Sequence, residues 1–177
     1  MKNFCAFLRG VNVKGTTMKM ADVCKVFSDA GVKNVSSVLA SGNVLFQSDK
    51  DALELKTILE KAMSDHFNYE AFLFIRDDIE INENLMNDPF SPLENFHNYI
   101  FIGEEKIEEI LLDEFEKASK AEDEKGKIAK NVFYWQVPKG QTLESTFGKI
   151  LGRKSLKDKM TSRNINTLER ILKKFKN

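Results

Sequence analysis

Phe4-Cys5-Ala6-Phe7-Leu8-Arg9-Gly10-Val11-Asn12-Val13-Lys14-Gly15 joins an apolar run to a loop marked by two glycines, and the architecture follows from it. Near-continuous apolarity over residues 3–9 predicts a strand buried on both faces. Gly10 and Gly15 punctuate a loop over 10–17. A helix over Lys19–Ala30 follows, because Met20, Val23, Cys24, Phe27 and Ala30 share one stripe of a 3.6-residue period. Gly31 stands where a helix end wants a left-handed residue. Two strands, Val35–Leu39 and Asn43–Gln47, flank the tight turn at Ser41-Gly42. Ser48 or Asp49 is read as the cap of a second helix with Ala52, Leu55, Ile58, Leu59, Ala62 and Met63 inward. A strand over Ala71–Ile75 completes the order β-α-β-β-α-β, the ferredoxin-like split unit.

Past residue 77 the signals thin. A short acidic helix is expected near Ile79–Leu85, and Pro89 and Pro92 mark a connection. Asn98–Gly103 reads as a strand. Glu104–Ala118 reads as a helix with Ile107, Ile110, Leu111, Phe115 and Ala118 inward. Charged Ala121–Lys127, with Gly126, reads as a loop or a frayed helix end. Lys130–Val137 reads as a strand whose Phe133, Tyr134 and Trp135 belong to a core. A short helix over Leu143–Leu151 and a last helix capped by Thr161 or Ser162 close the chain. The expected fold is α+β, a duplicated ferredoxin-like arrangement: a ferredoxin-like half over 1–77, and a second α+β half over 78–177 packed against it as one unit.

The 177 residues are 42% apolar and 31% charged, the balance of a soluble globular protein. No apolar run nears the roughly 20 residues that span a bilayer, so no membrane partner is expected. Met1-Lys2-Asn3-Phe4 reads as the start of a strand, not a signal peptide, which predicts a cytoplasmic protein. Cys5 and Cys24 fit buried free thiols, and neither they nor His66 and His97 show the spacing of a metal site. A histidine-driven triad has no serine or cysteine motif to support it. Net charge is zero, yet residues 78–124 carry 15 acidic and 3 basic residues, and residues 149–177 carry 10 basic and 2 acidic. Such runs are read first as solvated helix faces, although a polyanion-facing tail has the same signature.

In a split β-α-β-β-α-β sheet the first strand lies antiparallel beside the third. The loop leaving the first strand and the turn opening the third then meet at one rim. That rim would collect Arg9, Gly10, Asn12, Lys14, Lys19, Ser41, Gly42 and Asn43 with the first helix N-terminus. Fixed amides, a positive dipole end and cationic side chains are the make-up of an anion site. GVNVKG is not the GxxxxGK[ST] of a phosphate-binding loop. The alternative is a turn that uses glycine for positive φ and asparagine for local hydrogen bonds.

RGVNVKG with Met18-Lys19-Met20-Ala21-Asp22, then SGNVLF, then Thr161-Ser162-Arg163-Asn164-Ile165-Asn166-Thr167, resembles the bacterial family called domain of unknown function 1697. Its pattern is a strand ending in LRGIN-V-GG, a helix opening with K-MadL, a SGNV-F hairpin and a C-terminal T-RNW-T segment. The resemblance implies a duplicated ferredoxin-like α+β fold and no established activity. It adds Arg163, Asn164 and Thr167 to the candidates, beside Arg9, Gly10, Asn12, Lys19, Ser41, Gly42 and Asn43. Ile165 stands where the family usually has tryptophan, which removes an aromatic platform. Lys14-Gly15 stands where paired glycines are usual, which adds a cation.

Three functions follow from these residues, beside a purely structural or protein-interaction role through the aromatic strand Phe133–Trp135. The first is a small ligand-binding protein with an anion or phosphate site at the 9–19 and 41–43 loops, its ligand a nucleotide or a nucleic-acid end. Arg163 could grip phosphate in a bidentate manner. The second is an RNA-binding module offering Phe4, Phe7 or Phe46 for stacking, although SGNVLF lacks the basic-aromatic signature. The third is an enzyme, for which the residues name neither reaction nor cofactor.

Overall fold

Eight residues, Lys2–Arg9, form β1, and Phe4 to Leu8 within it are all buried. The computed structural model describes residues 1–10, 12–13, 16–120 and 123–176, with backbone alone at 12, 13, 16 and 17. Asn12–Val13 (β2) and Thr16–Thr17 (β3) pair antiparallel as a small hairpin after β1. Helix α1 covers Met20–Asp29, and Gly31 follows it at φ 95°. Lys33–Val38 is β4 and Asn43–Ser48 is β5. Helix α2 covers Ala52–Phe67, and Phe72–Asp77 is β6. These strands form one antiparallel sheet in the order β4-β5-β1-β6.

The core of this sheet follows the two periodicities in the sequence. Phe4, Ala6 and Leu8 of β1 point to one face, as period two requires. They meet Val44 and Phe46 of β5, Leu73 and Ile75 of β6, Val23 and Phe27 of α1, and Leu55, Leu59 and Met63 of α2. Phe46 is the hub, stacked on Phe4 at 5.8 Å and edge-on to Phe27 at 5.7 Å. The cap of α2 differs from expectation. Ser48 ends β5, and Asp51 takes the cap, accepting the Glu54 amide at 2.8 Å. Only a residue already off the strand can turn its side chain back over the first helical amides.

Helix α3 covers Asp78–Met86, Phe96–Gly103 is β7, and Ile107–Lys117 is α4. Ile107, Leu111, Phe115 and Ala118 of that region are buried, whereas Ile110 is 44% exposed. Ile110 falls off the i, i+4, i+8 line that the other three helical residues follow, so the expected inward position is corrected. Lys125–Ala129 is strand β8, not a loop, and Val132–Pro138 is β9. Lys130 and Asn131 join them with φ of 48° and 61°, the two positive values of a type I′ hairpin. Thr146–Ile150 is α5 and Lys154–Lys157 is α6. Met160–Asn164 is strand β10, and the last helix, α7, begins only at Ile165 and runs to Phe175. Thr161 and Ser162 are therefore strand residues, not helix caps. The second sheet is antiparallel with the order β10-β7-β9-β8.

Phe101, Phe115, Phe133, Trp135 and Phe147 interlock beneath this sheet, with ring centroids 5.2 to 6.1 Å apart in the contacting pairs. The Trp135 indole donates to the buried Glu124 carboxylate at 2.9 Å. The described residues thus form a mixed α+β protein with two four-stranded antiparallel sheets and seven helices. The chain divides into two compact units, Met1–Asn82 with Glu169–Asn177, and Glu83–Leu168. Among the described residues no helix is long and apolar enough to cross a membrane.

Candidate functional site

Ladder bonds decide what sits at the end of β1. Phe7 pairs with Asn43, and the Leu8 amide donates to the Gly42 carbonyl at 2.8 Å. The Arg9-Gly10 segment and the Ser41-Gly42-Asn43 turn therefore share one rim of the first sheet. Gly10 and Gly42 have φ of 79° and 78°, values an L side chain resists. Both glycines are thus explained by backbone geometry before any ligand is considered.

The polar residues of the turn divide by role. Asn43 is fully buried, and its amide group donates to the Val38 carbonyl at 2.9 Å and to the Ser41 hydroxyl at 3.0 Å. It closes the β4-β5 connection from inside, with Ser41 as its acceptor. Arg9 is half-buried opposite Phe72 of β6. Burial pulls its guanidinium below the ordinary arginine range, because removing water penalises the charged form. Lys19 is exposed at the start of α1, where its carbonyl accepts the Asp22 and Val23 amides and its side chain makes no cap bond. Asn12 lies in β2 opposite Thr17; its side chain, and the predicted rim residue Lys14, lie outside the described residues.

The C-terminal candidates belong to the second unit. Arg163 is buried in β10, and its Nη1 donates to the Thr161 hydroxyl at 2.7 Å and the Ser162 carbonyl at 2.8 Å. Asn164 meets His97 Nδ1 at 3.0 Å through its own amide nitrogen, and its Oδ1 accepts the Asn166 amide at 3.0 Å. It thus starts α7, with Thr167 buried one turn on.

Sequence reasoning passed over a polar network in the same unit. Asn98 donates to Asp88 at 2.9 Å and to the Phe90 carbonyl at 3.1 Å. Gln136 donates to Asn98 Oδ1 at 2.9 Å and to the Ser91 carbonyl at 3.0 Å. The Tyr134 hydroxyl donates to the Asn84 carbonyl at 2.7 Å. These bonds strap the proline-marked connection to the sheet. A carboxamide inside each of two apolar strands was the available signal, since such a group is kept only where it is satisfied.

Chemically, the first unit's rim offers the half-buried Arg9 at the meeting point of two positive-φ glycine turns. Among the described residues no group of three His, Cys, Asp or Glu side chains could hold a metal ion. Phe4, Phe7 and Phe46 are 3%, 0% and 1% exposed, so no described ring of the three offers a face to a base. Cys24 is half-buried, and burial raises its thiol above the ordinary range despite the Ser37 hydrogen bond and nearby Lys174.

Among solved structures, the chain is similar to the conserved bacterial protein SP0830 from Streptococcus pneumoniae. The match has a TM-score of 0.77 and 20% identity, and covers 97% of each chain. At that identity the likeness speaks to the fold alone. No curated protein matches the chain. Residues 1–134 match the family described as protein of unknown function (DUF1697). They carry both the strand-loop-helix stretch and the SGNVLF hairpin that meet at the rim, and the chain belongs to that family.

Proposed function

We propose that this protein binds a phosphate-bearing small molecule or a nucleic-acid end at the rim formed by Arg9, Gly10, Asn12, Lys19, Ser41, Gly42 and Asn43. The scaffold in this reading is a duplicated ferredoxin-like fold. Its support is the strand order: numbering the strands of each half separately, both sheets run 4-1-3-2, from β6-β1-β5-β4 and from β10-β7-β9-β8.

The observation that supports the binding site is the Leu8–Gly42 bond, which brings Arg9 and two positive-φ glycines to one rim. A phosphate oxyanion can take two N–H groups of one guanidinium together. Lys19, exposed at the start of α1, is the second cation of the proposed site. Ser41 and Asn43 hold the turn in shape and act as positioning residues. Arg163 and Asn164 are engaged within the second unit by the bonds already described, and the proposed contact does not draw on them. The test is a thermal-shift and calorimetric comparison of the protein and Arg9→Ala with inorganic phosphate, pyrophosphate and a nucleoside diphosphate. Stabilisation of the parent that is lost in Arg9→Ala, with unliganded stability unchanged, supports the reading. Equal response of both proteins, or of neither, sinks it.

A further inference from the structure

Four strands form the outer edges of the two sheets, and three of them have outward backbone groups closed by side chains. On β6 the Leu73 amide donates to Glu60 and the Leu73 carbonyl accepts from Lys56. The Ala71 amide beside it donates to Ser64, and the Ile75 carbonyl accepts from Arg76. On β4 the Ser37 carbonyl accepts from Lys174 at 2.8 Å, and the strand shifts register between Lys33 and Ser36. On β10 the Ser162 carbonyl accepts from Arg163. Unpaired edges invite strands from other chains, and such devices blunt them.

Strand β8 is different. It pairs with β9 on one side, with Lys125 opposite Gln136 and Lys127 opposite Tyr134. The ladder alternation turns the backbone groups of Gly126 and Ile128 outward. Among the described residues no side chain bonds them. Gly126 has a further constraint: a Cβ there would lie 2.7 Å from the Phe115 ring and 2.8 Å from the Phe133 ring. Position 126 therefore faces the aromatic core, and alternation puts Lys125 and Lys127 on the opposite face of the sheet. Both lysines are exposed, and no ion pair engages them among the described residues.

We infer that the β8 edge is a docking site for an extended acidic segment of a partner protein, added as a further antiparallel strand. The main chain would bond Gly126 and Ile128, and side chains opposite Lys125 and Lys127 would carry carboxylates. A second copy of this chain fits worse. Pairing β8 with its own mate brings lysines together, and like charges across a pair repel.

The test uses the whole isotope-labelled protein and a short acetylated peptide alternating valine with glutamate. Added peptide should protect the Gly126 and Ile128 amides from hydrogen exchange and shift their resonances. The same peptide N-methylated at the amides facing β8, or with lysine for glutamate, should bind at least about tenfold more weakly. The Lys125→Glu, Lys127→Glu double variant should reverse the preference between the glutamate and lysine peptides, with its melting temperature reporting that it is folded. Equal binding of all three peptides, no protection of the two amides, or protection that rises with protein concentration in the absence of peptide would each overturn the inference.

Discussion

Asn43 shows at the scale of one residue how a motif can be shared for its geometry. Its buried carboxamide spends its donors on Val38 and Ser41. Asn43→Ala leaves the Val38 carbonyl without that donor, and should cost about 1–3 kcal/mol in urea unfolding. Asn43→Asp keeps the size but loses the donating nitrogen, so it should cost at least as much. Two tyrosines carry a second expectation. Burial, with Glu60 near Tyr69 and Asp88 near Tyr134, raises both phenols above the ordinary 10.0. Their folded forms hold the proton more tightly than the unfolded chain does. The stability this gives is complete below a pH of about 10 and is lost as pH rises from there through the folded values. Urea midpoints measured on both sides of that pH should fall on the alkaline side, and less steeply in Tyr134→Phe.

Elements were legible where their pattern came from their own sequence and obscure where it came from a neighbour. Helices α1 and α2 and strand β1 carry an unbroken period, and the structure has them where that period puts them. Strand β8, Lys-Gly-Lys-Ile-Ala, has two charges and a glycine, and only β9 and the Phe115 ring make it a strand. Strand β10, Met-Thr-Ser-Arg-Asn, reads as a helix start because hydroxyl residues serve both roles; its pairing with β7 decides. The edge of β6 is held by side chains from α2, a device that sequence spacing does not announce. Glu60→Ala should release the Leu73 amide, cost about 1–2 kcal/mol, and raise hydrogen exchange at Leu73 ahead of its neighbours in β1. If Leu73 exchanges as slowly in the variant as in the parent, Glu60 is not what seals that edge.

For the whole molecule, the meeting of the residue 9–10 and 41–43 segments was legible because antiparallel pairing of the first and third strands leaves no other place for them. The burial of Asn43 and the engagement of Arg163 were not, since both depend on bonds made after the sheets form. What remains for function is the rim where Arg9 and Gly10 meet the Ser41-Gly42-Asn43 turn. The most direct measurement is a nitrogen-proton correlation spectrum of the labelled protein titrated with pyrophosphate. Saturable shifts should centre on Arg9, Gly10, Gly42 and Met20 and disappear in Arg9→Ala. Shifts scattered over surface lysines without saturation, or a spectrum that does not move at those four residues, would contradict a phosphate site at the rim.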